Sequence, residues 1–316
     1  MSAQETDASA AQQGRHAHGR LLHRPLTALV CHAVQRAVPD WRPAVRPLSS
    51  AVRVRRAPQG TGKAGGKPAD SPDRDAPGMN LILPDVRTDV AALARDVVKI
   101  YGRGETAVRA LDGATLSIPA GRFTAVMGPS GSGKSTLMHA MAGLDTVDEG
   151  QVLIGDTDLG RLSERQRTLL RRDHVGFVFQ SFNLVPTLTA AENIVLPLTL
   201  AGRRADQAWI DEIVAMLGLG DRLRHRPAEL SGGQQQRVAV ARALAARPRI
   251  VFADEPTGSL DSRTGEALLG FLRHAAHELG QTIVMVTHDA KAAAYADRVA
   301  HFADGRVVGV TGDEEK

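Results

Sequence analysis

The chain has 316 residues, 43% of them hydrophobic, enough to bury a substantial core in one large domain or two small ones. Its single cysteine, Cys31, excludes an intramolecular disulfide and a cysteine-built zinc site and points to a reducing compartment. The net charge of +4 is uneven: residues 1–78 hold 12 Lys/Arg against 6 Asp/Glu, so the remainder is slightly acidic and a nucleic-acid-binding body is not expected.

No apolar run reaches the roughly eighteen residues that a bilayer-spanning helix needs. Residues 1–78 are rich in Ala, Arg, Pro and Gly and offer little apolar surface to offset chain entropy. Residues 1–90 are therefore expected to form a disordered extension, with Met79 a sensible alternative start. The apolar patch Leu26-Thr27-Ala28-Leu29-Val30-Cys31 starts late and lacks a small-residue cleavage pattern, which argues against a secretory signal. Arg53, Arg55 and Arg56 form the densest basic cluster, a weak signal for anionic lipid or nucleic acid beside that of a solvated tail.

The pattern changes at Ala91. Leu93 to Val98 and Val108 to Ile118 read as strands joined by the turn Tyr101-Gly102-Arg103-Gly104-Glu105. Tyr101 either closes a strand edge or stacks on a nucleotide base. Ile118-Pro119-Ala120-Gly121 turns the chain into the apolar run Phe123-Thr124-Ala125-Val126-Met127. Gly128, Pro129, Ser130, Gly131, Ser132, Gly133, Lys134, Ser135 and Thr136 follow, matching G-x-x-x-x-G-K-[ST] between a strand and a helix. Such a loop wraps a phosphate in backbone N–H groups, and Lys134 adds a point charge. The helix ends near Gly143, and residues 149–155 read as a turn and a short strand.

Residues 159–172 read as a solvated helix leading into Val175-Gly176-Phe177-Val178-Phe179-Gln180, a buried strand that ends on an amide. Gln180 thus lies at the carboxyl end of a strand, where α/β sheets bind ligands. Ile210, Ile213, Val214 and Leu217 define an amphipathic helix closed by Gly218 and Gly220, within a mostly helical insertion.

A second glycine-rich segment, Leu230-Ser231-Gly232-Gly233-Gln234-Gln235-Gln236-Arg237, opens a helix that runs to about Ala246. Ser231 can cap it, and Gly232 and Gly233 let backbone N–H groups approach an anion. It has no lysine, so the anion's charge must be met elsewhere. Ile250-Val251-Phe252-Ala253 leads to Asp254 and Glu255, of which the first suits Mg2+ held through its water shell and the second a polarised water. Asp261 follows in a short loop. Thr282-Ile283-Val284-Met285-Val286 ends on Thr287 and His288, a histidine fit to donate a hydrogen bond near a γ-phosphate. Phosphoryl transfer by positioning and electrostatics is the chemistry this set supports.

Together these motifs resemble the ATP-binding subunits of ABC transporters over about residues 91–310. The resemblance implies an α/β P-loop NTPase with a RecA-like core, a small antiparallel β-subdomain and an inserted helical subdomain of about 181–246, in a domain of 91–312. It implies ATP and Mg2+ as cofactors, with Tyr101 stacking on the base and Gly128 to Thr136 as the Walker A loop. Lys134 then serves catalysis, Ser135 and Asp254 hold the metal, and Gln180 contacts the metal or the attacking water and so serves catalysis too. Glu255 matches the general base, His288 the switch position and Asp261 the D-loop. Ser231, Gly232, Gly233 and Gln234 match the signature, which in the family completes the site of a second subunit in a head-to-tail homodimer.

Phe179-Gln180-Ser181-Phe182-Asn183-Leu184-Val185-Pro186 looks more narrowly like the lipoprotein-release, macrolide-export and cell-division group, as do Lys99-x-Tyr101 and Val108-x-Ala110-Leu111. That implies an exporter or mechanotransducing complex in which this chain energises a separate membrane permease from the cytoplasmic face of the cell membrane, without nucleic acid. The basic extension departs from the pattern. Soluble ABC ATPases of DNA repair usually carry a long coiled coil between motifs that here lie 120 residues apart, from Lys134 to Asp254. Those of translation usually carry two cassettes. An ATP-dependent assembly switch is disfavoured by the presence of Glu255.

Overall fold

The computed structural model describes residues 90–312, so the N-terminal extension, Met79 and the Arg53 cluster expected above lie outside the described residues. β1 (Val90–Tyr101) and β2 (Val108–Pro119) pair antiparallel around a 3-10 turn at Gly104–Thr106. β3 (Phe123–Met127) leads through the first glycine-rich loop into α1 (Lys134–Met141). β4 (Glu149–Ile154) and β5 (Thr157–Asp158) then complete a four-stranded sheet in the order β2-β1-β4-β5.

After α2 (Glu164–His174) and the short β6 (Val175–Val178) come α3 (Ala190–Leu200), α4 (Gln207–Met216) and α5 (Gly232–Ala245). β7 (Ile250–Asp254), α6 (Ser262–Leu279), β8 (Thr282–Thr287), α7 (Ala290–Ala293), β9 (Arg298–Ala303) and β10 (Arg306–Gly312) follow. The second sheet has six strands in the order β10-β9-β3-β8-β7-β6. Its neighbours are all parallel except β10 with β9. The longest helix among the described residues is α6, with 18 residues, so no long coiled coil separates the motifs.

Successive strand residues point to opposite faces, and both faces of this sheet are covered, which is why its inner strands read as unbroken apolar runs. Ala125, Val251, Ala253, Ile283 and Met285 pack on one side with Ile194 of α3, Ile213 of α4, Val240 of α5 and Leu268 of α6. Val126, Phe252, Val284 and Val286 pack on the other with Leu137 and Met141 of α1 and with Leu111 and Ile154 of the antiparallel sheet. The helices of residues 190–245 therefore share a core with the sheet.

Local chemistry sets the helix starts. Ser163, Thr189, Asp206, Ser231 and Asp261 are N-caps whose side chains each accept from the backbone N–H three residues on. The Ser163–Gln166 capping box begins α2 at Glu164, so the helix read over residues 159–172 divides into a 3-10 turn, Leu159–Arg161, and a shorter, later helix. No residue of α2 is buried, as its polar pattern requires. β6 ends at Val178, and it is an edge strand with alternating burial; Gln180 stands in the loop beyond it.

That loop is tied down by Asn193, which is fully buried. Its Oδ1 accepts from Val185 N at 2.8 Å, and its Nδ2 donates to the carbonyls of Val185, Leu188 and Thr189 at 3.1, 3.2 and 3.0 Å. Asn193→Leu keeps the branched outline but leaves Val185 N and the Leu188 carbonyl without their partner, so urea unfolding is expected to show a loss of about 2–4 kcal/mol. Unchanged stability would mean that water replaces the amide.

Candidate active site

Strand register assembles the site. Met127 lies opposite Thr287, and Asp254 opposite Val286, so the residues that follow β3, β7 and β8 meet at one edge of the sheet. Gly128 begins the loop there with its backbone against β9: a Cβ would stand 1.9 Å from the Phe302 carbonyl oxygen. Gly133, at φ 101°, ends it, and a Cβ there would stand 2.2 Å from the Ala110 oxygen. Only glycine fits either place. Gly131 also has a positive φ, of 78°. Pro129 and Ser130 form the exposed tip, and Ser132 N donates to the Pro129 carbonyl at 3.3 Å. The buried Ser132 Oγ has no hydrogen-bond partner.

Lys134 is buried, and its Nζ donates to the Pro129 carbonyl at 2.7 Å. Burial draws its pKa down, while Glu255 and Asp254 oppose that shift. Ser135 Oγ donates to Asp254 Oδ1 at 3.2 Å. Burial pushes the Asp254 carboxyl up, and the Ser135 hydrogen bond works against it. Glu255 adopts a left-handed φ of 42°, with its N–H bonded to Val286 O, which turns its side chain off the strand line. Its Oε1 lies 2.8 Å from His288 Nδ1. An ionised carboxylate only accepts, so Nδ1 carries the hydrogen.

Tyr101, the last residue of β1, donates from its hydroxyl to Asp145 Oδ2 at 2.7 Å. Lys99 Nζ lies 5.1 Å from the ring centroid and bonds Asp145 Oδ1 at 3.0 Å. Burial and then the Asp145 bond raise the Tyr101 pKa. Burial alone pushes the Asp145 carboxyl up, but the bonds from Tyr101 and Lys99 outweigh it and hold it below the usual range.

The remaining residues form a second group. Gln234 N bonds Ser231 Oγ, while the Gln234 amide oxygen accepts from Ser231 N at 2.8 Å. A Cβ on Gly233 would stand 2.4 Å from Thr264 Cγ2, and one on Gly232 3.7 Å from Phe182 Cζ. Asp261 caps α6 through Thr264 N at 3.0 Å, a bond that lowers its pKa. Gln180 lies beside the segment after β7, with its Nε2 3.0 Å from a Cβ built on Gly258. Among the described residues no hydrogen bond joins α5's start to the Gly128–Thr136 loop: α1 packs on one face of the sheet and α5 on the other.

Sequence reasoning missed three supporting residues. Gln236 lies fully buried on α5 and donates to the Pro256 carbonyl at 2.8 Å; a polar residue on an otherwise apolar helix face was its signal. Asp145 lies beyond the α1 turn, where nothing in the local pattern marks it as the partner of Tyr101. Arg242 reads as an ordinary helix residue until its long-range bonds are seen.

Residues 111–258 match the ABC transporter family model. An uncharacterized ABC transporter ATP-binding protein of Thermotoga maritima is 47% identical over 217 residues, 68% of this chain and 92% of that one. The macrolide export ATP-binding/permease protein MacB of Hyphomonas neptunium is 45% identical, over 70% of this chain but 34% of its own length. Among solved structures, the ATP-binding cassette MJ0796 of Methanocaldococcus jannaschii, described as a dimeric post-hydrolysis state bound to ADP and Pi, matches with a TM-score of 0.65 at 42% identity. That match covers 70% of this chain and 98% of the other.

The chain belongs to the ABC transporter family. Within it, the chain is an ATP-binding, ATP-hydrolysing subunit with a RecA-like core, a small antiparallel sheet and a helical subdomain. Gly133→Ala forces both backbone strain and a clash with Ala110, so urea unfolding is expected to show a loss of about 1–3 kcal/mol. Binding of a fluorescent ATP analogue should weaken by at least about tenfold, the outcome expected of a backbone that cradles phosphate. Unchanged binding would move the cradle elsewhere.

Proposed function

We propose that this chain is the ATPase of an export or mechanotransducing complex, acting as a head-to-tail homodimer beneath a separate membrane permease. The observation that carries it is the placement of two phosphate-cradling helix starts on opposite faces of one sheet, only one of them with a lysine. Neither completes the other within a chain. Two copies related by a twofold axis close both sites at once.

The donor set fits ATP with Mg2+. The unpartnered Ser132 Oγ and the side-chain-free approach of Gly128 and Gly133 suit phosphate oxygens. The Ser135 hydroxyl and Asp254 carboxylate are the hard oxygen ligands that Mg2+ takes, and Gln180 adds a neutral oxygen from the side. The metal, when bound, neutralises charge on the phosphates. Lys134 meets the terminal phosphates, with Glu255 and Asp254 opposing the downward pull of burial on its pKa.

Glu255 accepts a proton from the attacking water, and His288, donating from Nδ1, holds that carboxylate in place. Tyr101 presents its ring to the base, held by Asp145. The partner's Ser231, Gly232, Gly233 and Gln234 supply helix-start N–H groups to the γ-phosphate, and Asp261 lies at the same interface. Residues 91–312 act as the ATP-binding domain, with residues 181–246 as the lobe that meets the permease. An apolar groove of about 590 Å3 between α2 and α3, lined by Leu144, Leu169, Phe177, Phe179, Leu196 and Leu200, supports that docking. The likeness to MacB supports the export role. No helix among the described residues is long and apolar enough to cross a membrane, in keeping with a separate permease.

Glu255→Gln is expected to lower kcat by at least about a hundredfold with ATP affinity retained, as loss of a general base does. Light scattering of this variant should find a dimer with ATP and a monomer without it. A variant that stays monomeric at saturating ATP would contradict the composite site.

A further inference from the structure

Gln180 has no hydrogen bond from its side chain to the proposed metal ligands, so its loop must be held by something else. Phe182 and Asn183, just beyond it, both take left-handed backbone, with φ of 58° and 48°. Neither is glycine, and such conformations persist only where surrounding contacts impose them. The contact here comes from α5. Arg242 Nη2 donates to the Phe182 carbonyl at 2.8 Å, and Nη1 to the Asn183 carbonyl at 2.6 Å.

This arginine is unusual in its cost. It is partly buried, forms no ion pair with any described carboxylate, and burial draws its pKa down. An uncompensated guanidinium is an expensive way to hold two carbonyls, so simple stability is a poor reason for it. A planar fork is, however, suited to fixing two adjacent carbonyls at once. The same loop lies close to the start of α5 and to the segment before Asp261. The Phe182 ring tip stands 3.7 Å from a Cβ built on Gly232, and Ser259 Oγ lies 3.5 Å from the Gln180 carbonyl. The loop is thus strapped along the helix that begins with Ser231 and against the segment that leads to Asp261.

We propose that Arg242 is a positioning residue for ATP hydrolysis, clamping the Phe182 and Asn183 carbonyls so that the Gln180 loop and the Ser231–Gln234 helix start move as one unit. When the partner's nucleotide draws the helix start in, Gln180 is carried to its own place at the same time. The assignment rests on the role proposed above for Gln180.

The test compares steady-state ATP hydrolysis by the full chain with that of Arg242→Met, Arg242→Lys and Gln180→Ala, beside amide hydrogen exchange. Arg242→Met is expected to lower kcat about tenfold with KM for ATP changed less than about twofold, a loss in the range that misplacement of a site group produces. Arg242→Lys, which keeps the charge but can reach only one carbonyl, should recover about half of that loss on a logarithmic scale. Amides of residues 181–185 should exchange faster in Arg242→Met, with those of residues 238–244 unchanged.

An unchanged kcat in Arg242→Met, or a loss with faster exchange throughout α5 and no recovery in Arg242→Lys, would overturn the assignment. If Arg242→Met does not fold, Arg242→Lys decides alone: an intermediate fall in kcat at constant KM supports the clamp, and an unchanged kcat overturns it. Gln180→Ala separates the two claims. If it leaves kcat intact, the role of Gln180 fails; if it lowers kcat while Arg242→Met does not, only the clamp fails.

Discussion

A phosphate can be gripped by bare backbone only where no side chain stands in the way, and the proposed function asks this fold to make that possible twice. At the first cradle, Gly128 and Gly133 press against the carbonyls of Phe302 and Ala110, closer than any Cβ allows. Those carbonyls belong to β9 and β2, one from each sheet, so both sheets must be in place before the loop takes its shape. At the second, Gly233 lies against Thr264, which joins the start of α5 to that of α6. Each cradle is therefore built by tertiary contacts as much as by its own glycines.

The parallel sheet sets the relation between the two. Its alternating side chains divide the core into two halves, and α1 belongs to one half and α5 to the other. Both helices open at the carboxyl edge of the strands, so their N–H groups face the same end of the molecule from different sides of the sheet. The acids sit between. Asp254 ends β7 in ladder register, and Glu255, one residue later, leaves the strand direction through a left-handed turn. Two adjacent carboxylates thereby meet different partners, Ser135 and His288.

Much of this was legible in the sequence because the signals are local. The apolar runs of β3, β7 and β8, the glycine spacing of the two loops and the cap at Ser231 depend on near neighbours, and they carry the fold class and the family. The start of α2 was misread because its apolar pattern is too weak to locate an end, whereas the Ser163–Gln166 box is decisive once seen. The end of β6 was placed two residues late because Phe179 continues an apolar run that the sheet does not use. Long-range partners were out of reach: Tyr101 finds Asp145 across 44 residues, and Arg242 finds Phe182 across 60. Nothing in the spacing of such pairs distinguishes them from chance.

The most direct measurement mixes two inactive chains. Lys134→Ala removes the lysine cradle and leaves the other intact; Gly232→Asp puts a carboxylate at the second cradle and leaves the first intact. If each ATP lies between chains, half of the randomly mixed dimers regain one sound site, and the mixture should recover up to about a quarter of the wild-type turnover while each chain alone stays inactive. If the two cradles served one site within a chain, the mixture would be as inactive as its parts.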